Sequence, residues 1–357
     1  MKVAIVHDWF VGGGAERVVA ELHSMYPDAP IYTSYCSDEW RRQLDGKVIT
    51  GFLQNWPFNR LRKFIPYLRI WWFSRLDLSG YDLVISSSGA EAKGIKVPKP
   101  AIHINYCHAP THYYWSRYEE YLQHPGFGLF DPLARLGLKL LVGPLRRWDY
   151  KAAQRPDYMI ANSNFIKDEI KKYYGRDSVV IHPPVDIERF AGKSDEPRRG
   201  YIIAGRQTPY KRFDLAVSAC SELNLPLIVV GRGPDHSRLK KLAGKSVTFM
   251  RADDEKLVHL FKTSQAFIFP GVDDFGIVAV EALAAGTPLI AFGRGGALDY
   301  VDKDTGILFK DQSVKSLSET LKSFKAGSFN HDKIAKKASE FAPSVFRDKF
   351  ARFVKSL

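Results

Sequence analysis

Two carboxylates eight positions apart, Asp273 and Glu281, stand in the stretch FPGVDDFGIVAVEALAAGTP that runs from Phe269 to Pro288. Phe275-Gly276 marks the expected mouth of a helix between them. Eight residues are a little over two helical turns, so both acids can lean toward one side of the helix start. The unpaired N–H groups at such a mouth, with the positive end of the helix dipole, suit an anion. One carboxylate near the mouth and a second further along can hold hydroxyl groups on either side of a diphosphate, which is what a nucleotide-sugar site requires. The same spacing also fits an ordinary amphipathic helix stopped by Gly286 with Pro288 beyond it.

Cations occur where a diphosphate would need them. In YIIAGRQTPYKRFDLAV a strand ends at Gly205, and Arg206 and Lys211 follow on a loop before a helix beginning near Phe213. Such a pair can clamp a diphosphate and stabilises it most as negative charge builds on the leaving oxygen. Arginine offers a fork of donors and lysine a point charge. A solvated basic loop would read the same way. Gly231 and Gly233 end a further strand in LIVVGRGPDHSRL and permit a tight turn toward a ligand. Gly12, Gly13 and Gly14 lie between a strand and a helix in VHDWFVGGGAERVVAEL, where backbone N–H groups can approach an anion or simply make a turn. This run is neither a Walker loop nor G-x-G-x-x-G, which weakens a nucleoside-triphosphate or dinucleotide reading and leaves an oxidoreductase less favoured. His108 ends a strand in INYCHAPTHYYW, just before Pro110. A lone histidine is more often structural than catalytic, but the carboxyl end of a strand favours a cleft position, with His112 and Trp115 nearby.

The elements that must carry these residues alternate between short apolar runs and helical stretches. Strands are expected at Val3–His7, Ile31–Tyr35, Val48–Phe52, Leu83–Ser87, Ile102–Cys107, Tyr158–Asn162 and Val179–His182. A second set is expected at Tyr201–Ala204, Leu227–Val230, Val247–Met250, Ala266–Phe269, Leu289–Phe292 and Gly306–Phe309. Continuous apolar runs indicate parallel strands covered on both faces, and the alternation indicates doubly wound α/β sheets. Prolines and charges cluster in His182–Gly200, as in a linker between two domains. The expected division is 1–182 and 183–343, with an amphipathic helix from Ser344 to Leu357 at the end.

Composition is that of a globular protein: 357 residues, 45% hydrophobic and 25% charged. The net charge of +13 is spread over both halves and attracts nucleotides, nucleic acids or anionic membranes. Aromatic residues do not follow a known RNA-binding pattern, so a non-catalytic nucleic-acid-binding protein is only the alternative reading. Cys36, Cys107 and Cys220 are odd in number and lack metal-ligand spacing, which fits a reduced cytoplasmic compartment. Asp8 interrupts the first apolar run, so MKVAIVHDWF reads as a strand rather than a signal sequence. No apolar run is long enough to span a bilayer. From Arg60 to Arg75 five basic residues, among them Arg62, Lys63 and Arg69, interleave with aromatic residues that include Trp71 and Trp72. That surface suits either an anionic membrane or packing on the first domain with snorkelling cations, and Lys139–Trp148 is similar.

The acidic segment resembles the E-x7-E region of the retaining glycosyltransferases of family 4, which have the GT-B fold. The chain keeps Phe275, Gly276, Glu281, Ala282, Gly286, Thr287 and Pro288, and departs at the first acid, where Asp273 stands for the usual, longer Glu. G-R-x4-K at Gly205, Arg206 and Lys211 and the Tyr-Cys-His-x-Pro run at His108 are similar to further motifs of that family. The resemblance implies two Rossmann-like domains facing across a cleft, an acceptor-side first domain, a donor-binding second domain and a last helix crossing back to the first. It implies that Arg206 and Lys211 contact the donor phosphates, that Glu281 holds the ribose, and that Asp273 holds the sugar with the backbone of Phe275, Gly276 and Ile277. His108 would touch the sugar, the loop of Gly231 and Gly233 would lie near the nucleotide, and the backbone around Met250 and Arg251 would meet the base. Gly12–Gly14 would face the donor phosphates and the acceptor. No cofactor or metal is implied, because the diphosphate already has cations and helix termini and the chain lacks a convincing DxD pair; Asp302 and Asp304 form a DKD triplet but are expected at the surface beside a turn at Gly306. The closest appearance is that of bacterial mannosyltransferases of surface-polysaccharide assembly, so the expected donor is GDP-mannose. The acceptor would be a glycan or polyprenyl-diphosphate-linked sugar at the inner face of the cytoplasmic membrane, with no nucleic acid involved. A UDP-sugar-dependent transferase or a GT-B epimerase or phosphorylase is the alternative within the fold.

Overall fold

A strand that is apolar along its whole length is stable only where both of its faces are covered. Val3–His7 becomes such a strand, β1, with every residue buried. In the computed structural model, which describes all residues except Lys63, His124, Gly126, Phe127 and Lys193, the chain forms two compact units. The first comprises Met1–Pro183 and Arg347–Leu357, the second Pro184–Phe346. The division falls one residue beyond the expected one in the linker and three residues further along the last helix, Pro343–Lys355.

The first unit is built on seven parallel strands in the order β3-β2-β1-β4-β5-β6-β7. Here β2 is Ile31–Thr33, β3 Val48–Thr50, β4 Leu83–Ser88, β5 Ile102–Cys107, β6 Tyr158–Ala161 and β7 Val179–Val180. The register sets Ile5 beside Ile31 on one side and Ile85 on the other. The second unit carries six parallel strands in the order β10-β9-β8-β11-β12-β13. These are β8 Tyr201–Ala204, β9 Leu227–Val230, β10 Val247–Met250, β11 Ala266–Phe269, β12 Leu289–Phe292 and β13 Gly306–Phe309. Both orders reverse direction at the first strand of the unit, the doubly wound arrangement of Rossmann-like domains. The final helix rejoins the first unit, where Arg347 pairs with Glu21 and the Phe353 ring meets Tyr158 edge-on at 5.9 Å.

Two ion pairs buried in the first unit organise its helices around one turn, Glu91–Gly94. Arg69, on the helix Pro66–Phe73, grips Glu91 with two hydrogen bonds of 2.9 and 2.8 Å. Lys93 meets Asp149, on the helix Asp131–Ala153, at 2.7 Å. Burial opposes the charge on Lys93, but Asp149 outweighs it and holds the ammonium above its ordinary pKa. This corrects the membrane reading of Arg69 and Trp72. Arg69 is only 3% exposed and Trp72 belongs to the core with Phe73, because the acid at Glu91 gives the arginine an internal partner. Lys63 lies outside the described residues.

His103, inside β5, is buried with Nε2 2.8 Å from Ser86 Oγ. Burial, only partly opposed by Asp157, pushes its pKa from 6.5 down to about 3. Its folded value is therefore below the unfolded one, and the unfolded chain binds more protons between the two. The contribution is complete above pH 6.5 and is lost as the pH falls toward 3. Urea denaturation at a series of pH values should show a component of about 1.4 kcal/mol per pH unit in that window, absent in His103→Gln. Parallel pH profiles for the two proteins would contradict this account.

Candidate active site

In an open parallel sheet the loops leaving two neighbouring strands diverge where the strand order reverses, and ligands bind outside the carboxyl ends there. In the second unit that point lies between β8 and β11. After β8 the chain passes Gly205 and Arg206, makes the short turn Pro209–Lys211, and enters the helix Phe213–Glu222 through Arg212. After β11 it passes Gly271 and Asp273 before the helix Ile277–Ala284. The two loops meet through Lys211 Nζ and Asp273 Oδ2, 2.9 Å apart and largely buried. Arg212 turns away to Asp214 with bonds of 3.1 and 3.2 Å, so it serves the helix start rather than a ligand. Arg206 is exposed.

The helix mouth depends on Gly276, whose φ is +90°. A Cβ there would lie 2.6 Å from Phe269 Cζ and 2.7 Å from Tyr300 Oη, so a side chain would both strain the backbone and collide. Tyr300 in turn donates to the Phe275 carbonyl at 2.7 Å and fixes the approach to the helix. Ala279 and Val280 N–H both reach the Gly276 carbonyl, whereas the N–H groups of Ile277 and Val278 come too early for a partner within the helix. Glu281 is buried one turn further on. Asp273 Oδ1 is buried with no hydrogen-bond partner among the described residues. An acceptor left in that state is costly unless a donor such as a ligand hydroxyl completes it.

Two further loops, those after β9 and β10, join this end of the sheet by backbone. A Cβ on Gly231 would be 2.3 Å from the Gly205 carbonyl, and one on Gly233 would be 2.2 Å from that of Gln207. Gly231 N–H donates to the Met250 carbonyl at 3.1 Å. Gln207 is fully buried, donates to the Gly231 carbonyl at 2.8 Å and meets His236 Nδ1 at 2.7 Å. Burial lowers the His236 pKa, as do the cations Arg232, Lys240 and Arg251 around it. Arg206, Arg232 and Arg251 are exposed and follow the carboxyl ends of β8, β9 and β10, a cationic rim suited to phosphate. Gln207, Arg232 and His236 were not singled out from sequence. Arg232 could have been, since it stands between two glycines that were, but nothing in the sequence marks Gln207 and His236 as partners.

In the first unit the reversal lies between β1 and β4. There the Asp8 carboxylate accepts from Gly89, Ala90 and Ala92 N–H at 2.8, 2.9 and 2.7 Å. The glycine loop is less open to an anion than expected. Val11 and Gly12 N–H donate to Glu16 Oε1 at 3.2 and 3.0 Å, because an acid in the first turn of the helix Gly14–Met25 reaches back to the loop before it. His108 follows β5 directly and is half-buried, its Nε2 2.7 Å from Ser87 Oγ. His112 pairs with Ser116 at 2.9 Å, and Trp115 donates to Asp149 at 2.7 Å inside the unit. Trp71 remains exposed, and Arg62 lies 4.7 Å over the Tyr35 ring. Among the described residues no three His, Cys, Asp or Glu side chains gather as metal ligands. Asp302 accepts from Thr305 at an exposed turn.

The fold recurs in solved structures. Anabaena HepE in complex with UDP aligns over 100% of both chains, with a TM-score of 0.71 and 16% identity. The sucrose-phosphate synthase of Thermosynechococcus elongatus aligns over 100% of this chain and 99% of that one, with a TM-score of 0.68 and 15% identity. The fold is GT-B. Residues 12–189 match the family described as Glycosyltransferase Family 4, and residues 184–341 the family described as Glycosyl transferases group 1. The chain belongs to the GT-B glycosyltransferases of these families. It is similar to a D-inositol 3-phosphate glycosyltransferase of Streptomyces avermitilis, 30% identical over 205 residues. That match takes in 47% of this chain and 44% of the relative. A phosphatidyl-myo-inositol mannosyltransferase of Mycobacterium leprae is 29% identical over 180 residues, 44% of this chain and 45% of the relative. The chain thus spans less than half the length of these curated relatives.

Proposed function

We propose that the protein is a retaining glycosyltransferase that moves mannose from GDP-mannose to a hydroxyl of a glycan or polyprenyl-diphosphate-linked acceptor at the inner face of the cytoplasmic membrane. The observation that carries this reading is the contact of Lys211 with Asp273 at the reversal point of the second sheet, with Asp273 Oδ1 left buried and unsatisfied. A bound hexose supplies hydroxyl donors for that oxygen, and its diphosphate supplies anionic partners for Lys211 and Arg206. Glu281 holds the ribose, and the N–H groups at the mouth of the helix Ile277–Ala284 complete the anion site. The Gly231 and Gly233 loop and the Met250–Arg251 backbone flank the nucleotide. His108 contacts the sugar.

The acceptor oxygen attacks the anomeric carbon as the carbon–oxygen bond to the diphosphate breaks. The acceptor proton passes to the departing diphosphate oxygen, on the same face of the sugar, so the anomeric configuration is retained. Lys211 and Arg206 stabilise the charge that grows on the leaving group. These residues act without a metal. The mannosyltransferase relative supports mannose. A UDP-sugar is the second reading, favoured by HepE, whose structure holds UDP and glucose.

Thermal unfolding with GDP, UDP, ADP, TDP and CMP and their sugars decides between them, because a ligand that binds only the folded state raises the melting temperature. At 100 times the dissociation constant the stabilisation is about 2.7 kcal/mol. A shift with GDP and GDP-mannose, abolished in Glu281→Ala, is the outcome expected. A shift with UDP alone replaces the donor, and no shift with any nucleotide removes the transferase reading.

A further inference from the structure

The helix Asp131–Ala153 has two apolar faces where a helix at a protein surface ordinarily has one. Its second half is anchored: Leu145, Asp149, Ala152 and Ala153 are buried, with Asp149 held by Lys93. Its first half has no buried residue before Leu145. Leu133, Leu136 and Leu140 are 67%, 54% and 67% exposed. Their spacing of three and four residues lines them along one stripe, at 100° per residue on the side away from Leu145. Leu129 and Phe130, 98% and 65% exposed, extend the stripe beyond the helix start. Five large apolar side chains so exposed within residues 129–140 mark an interaction site, not ordinary scatter.

Charge says what covers it. Between Asp131 and Asp149 the helix carries Arg135, Lys139, Arg146 and Arg147 and no acid. Arg135 and Lys139 fall together on a second stripe, between the leucines and the anchored face, while Arg146 further along it turns inward, donating to the Tyr114 carbonyl and lying over the Trp115 and Tyr118 rings. An apolar stripe flanked along this helix by cations, with Asp131 at its start the one acid before Asp149, is complementary to acyl chains beneath anionic headgroups. No helix among the described residues is long and apolar enough to cross a membrane, so the contact is interfacial. The helix Pro66–Phe73 leans on the same turn, Glu91–Gly94, through Arg69 and Glu91, and adds exposed Trp71 beside Arg75.

We infer that the first unit docks on an anionic lipid surface through the leucine stripe of residues 129–140, a surface that rests on the proposed lipid-linked acceptor for its purpose but not for its chemistry. The first half of this helix, rather than Arg69 and Trp72, is the membrane element.

Cosedimentation of the full chain with phosphatidylcholine vesicles, with and without phosphatidylglycerol, tests the inference. Binding is expected only with phosphatidylglycerol, weakening as salt is added. Replacing Leu133, Leu136 and Leu140 together by Ser should weaken it by about tenfold or more, while nucleotide-induced thermal stabilisation stays as in the unaltered chain. Arg135→Glu with Lys139→Glu should abolish the preference for anionic lipid. Failure of the unaltered chain to bind anionic vesicles, or equal binding by the leucine variant, overturns the inference and leaves the nucleotide result standing. Self-association that the leucine variant loses, without vesicle binding, would overturn it in favour of an interface between copies. Vesicle binding without any nucleotide effect would instead leave the docking surface and remove the transferase reading.

Discussion

Lys211→Met should lower the turnover of sugar transfer by about two to three orders of magnitude, more than it weakens nucleotide binding. The reason is the moment at which the ammonium matters. In the free protein it already has Asp273 at 2.9 Å, so the charge is partnered before any donor arrives. In the proposed reaction its contact with the diphosphate strengthens as the sugar–oxygen bond breaks and negative charge gathers on the leaving oxygen. Such an interaction appears in kcat and in kcat/KM alike. Methionine keeps much of the side-chain volume, and the unfolding midpoint of the variant serves as the control. A variant that binds nucleotide weakly yet turns over at the unaltered rate when saturated would assign Lys211 to binding alone. A variant unchanged in both would remove it from the site.

Asp149→Ala should cost the first unit about 3–5 kcal/mol. Asp149 accepts from Thr111, Trp115 and Tyr174 at 2.8, 2.7 and 2.6 Å in addition to its ion pair with Lys93. Its removal leaves a fully buried ammonium and three polar groups without their partner. Replacing the pair together, with Lys93→Met and Asp149→Leu, should recover much of the loss, because the uncompensated charge is gone. Urea denaturation followed through the tryptophan signal measures both. A loss below about 1 kcal/mol for the single change would mean that the pair is dispensable to stability.

The strands were legible because the apolar runs of a parallel sheet are continuous, and those of the second unit begin and end where expected, whereas several in the first unit end elsewhere. Ile31–Tyr35 shortens to Ile31–Thr33, since Ser34 N–H bonds to Asp8 and the Tyr35 carbonyl to Phe10 outside the named ladder. The doubly wound class followed from alternation, and the candidate donor residues were placed at strand ends by their glycines. The partner of each side chain was hidden. Lys211 and Asp273 are 62 positions apart and Arg69 and Glu91 are 22 apart, so their pairing exists only once the sheet order is known. That is why a basic aromatic helix read as a membrane surface when two of its members face inward. The exposed leucines were hidden for the opposite reason: an apolar residue on a helix gives no sign in the sequence of whether anything covers it.

The close backbone contacts of Gly231 with Gly205 and of Gly233 with Gln207 bear on how such a protein can diversify. No substitution at these glycines can enlarge or reshape the floor of the proposed nucleotide site, because any added carbon meets a carbonyl. Variation among descendants is thereby pushed outward to Arg232 and Arg251, which are exposed and can be exchanged one at a time without disturbing the sheet. A lineage changing its nucleotide preference would keep its glycines as an ancestral trait and record its history in those arginines.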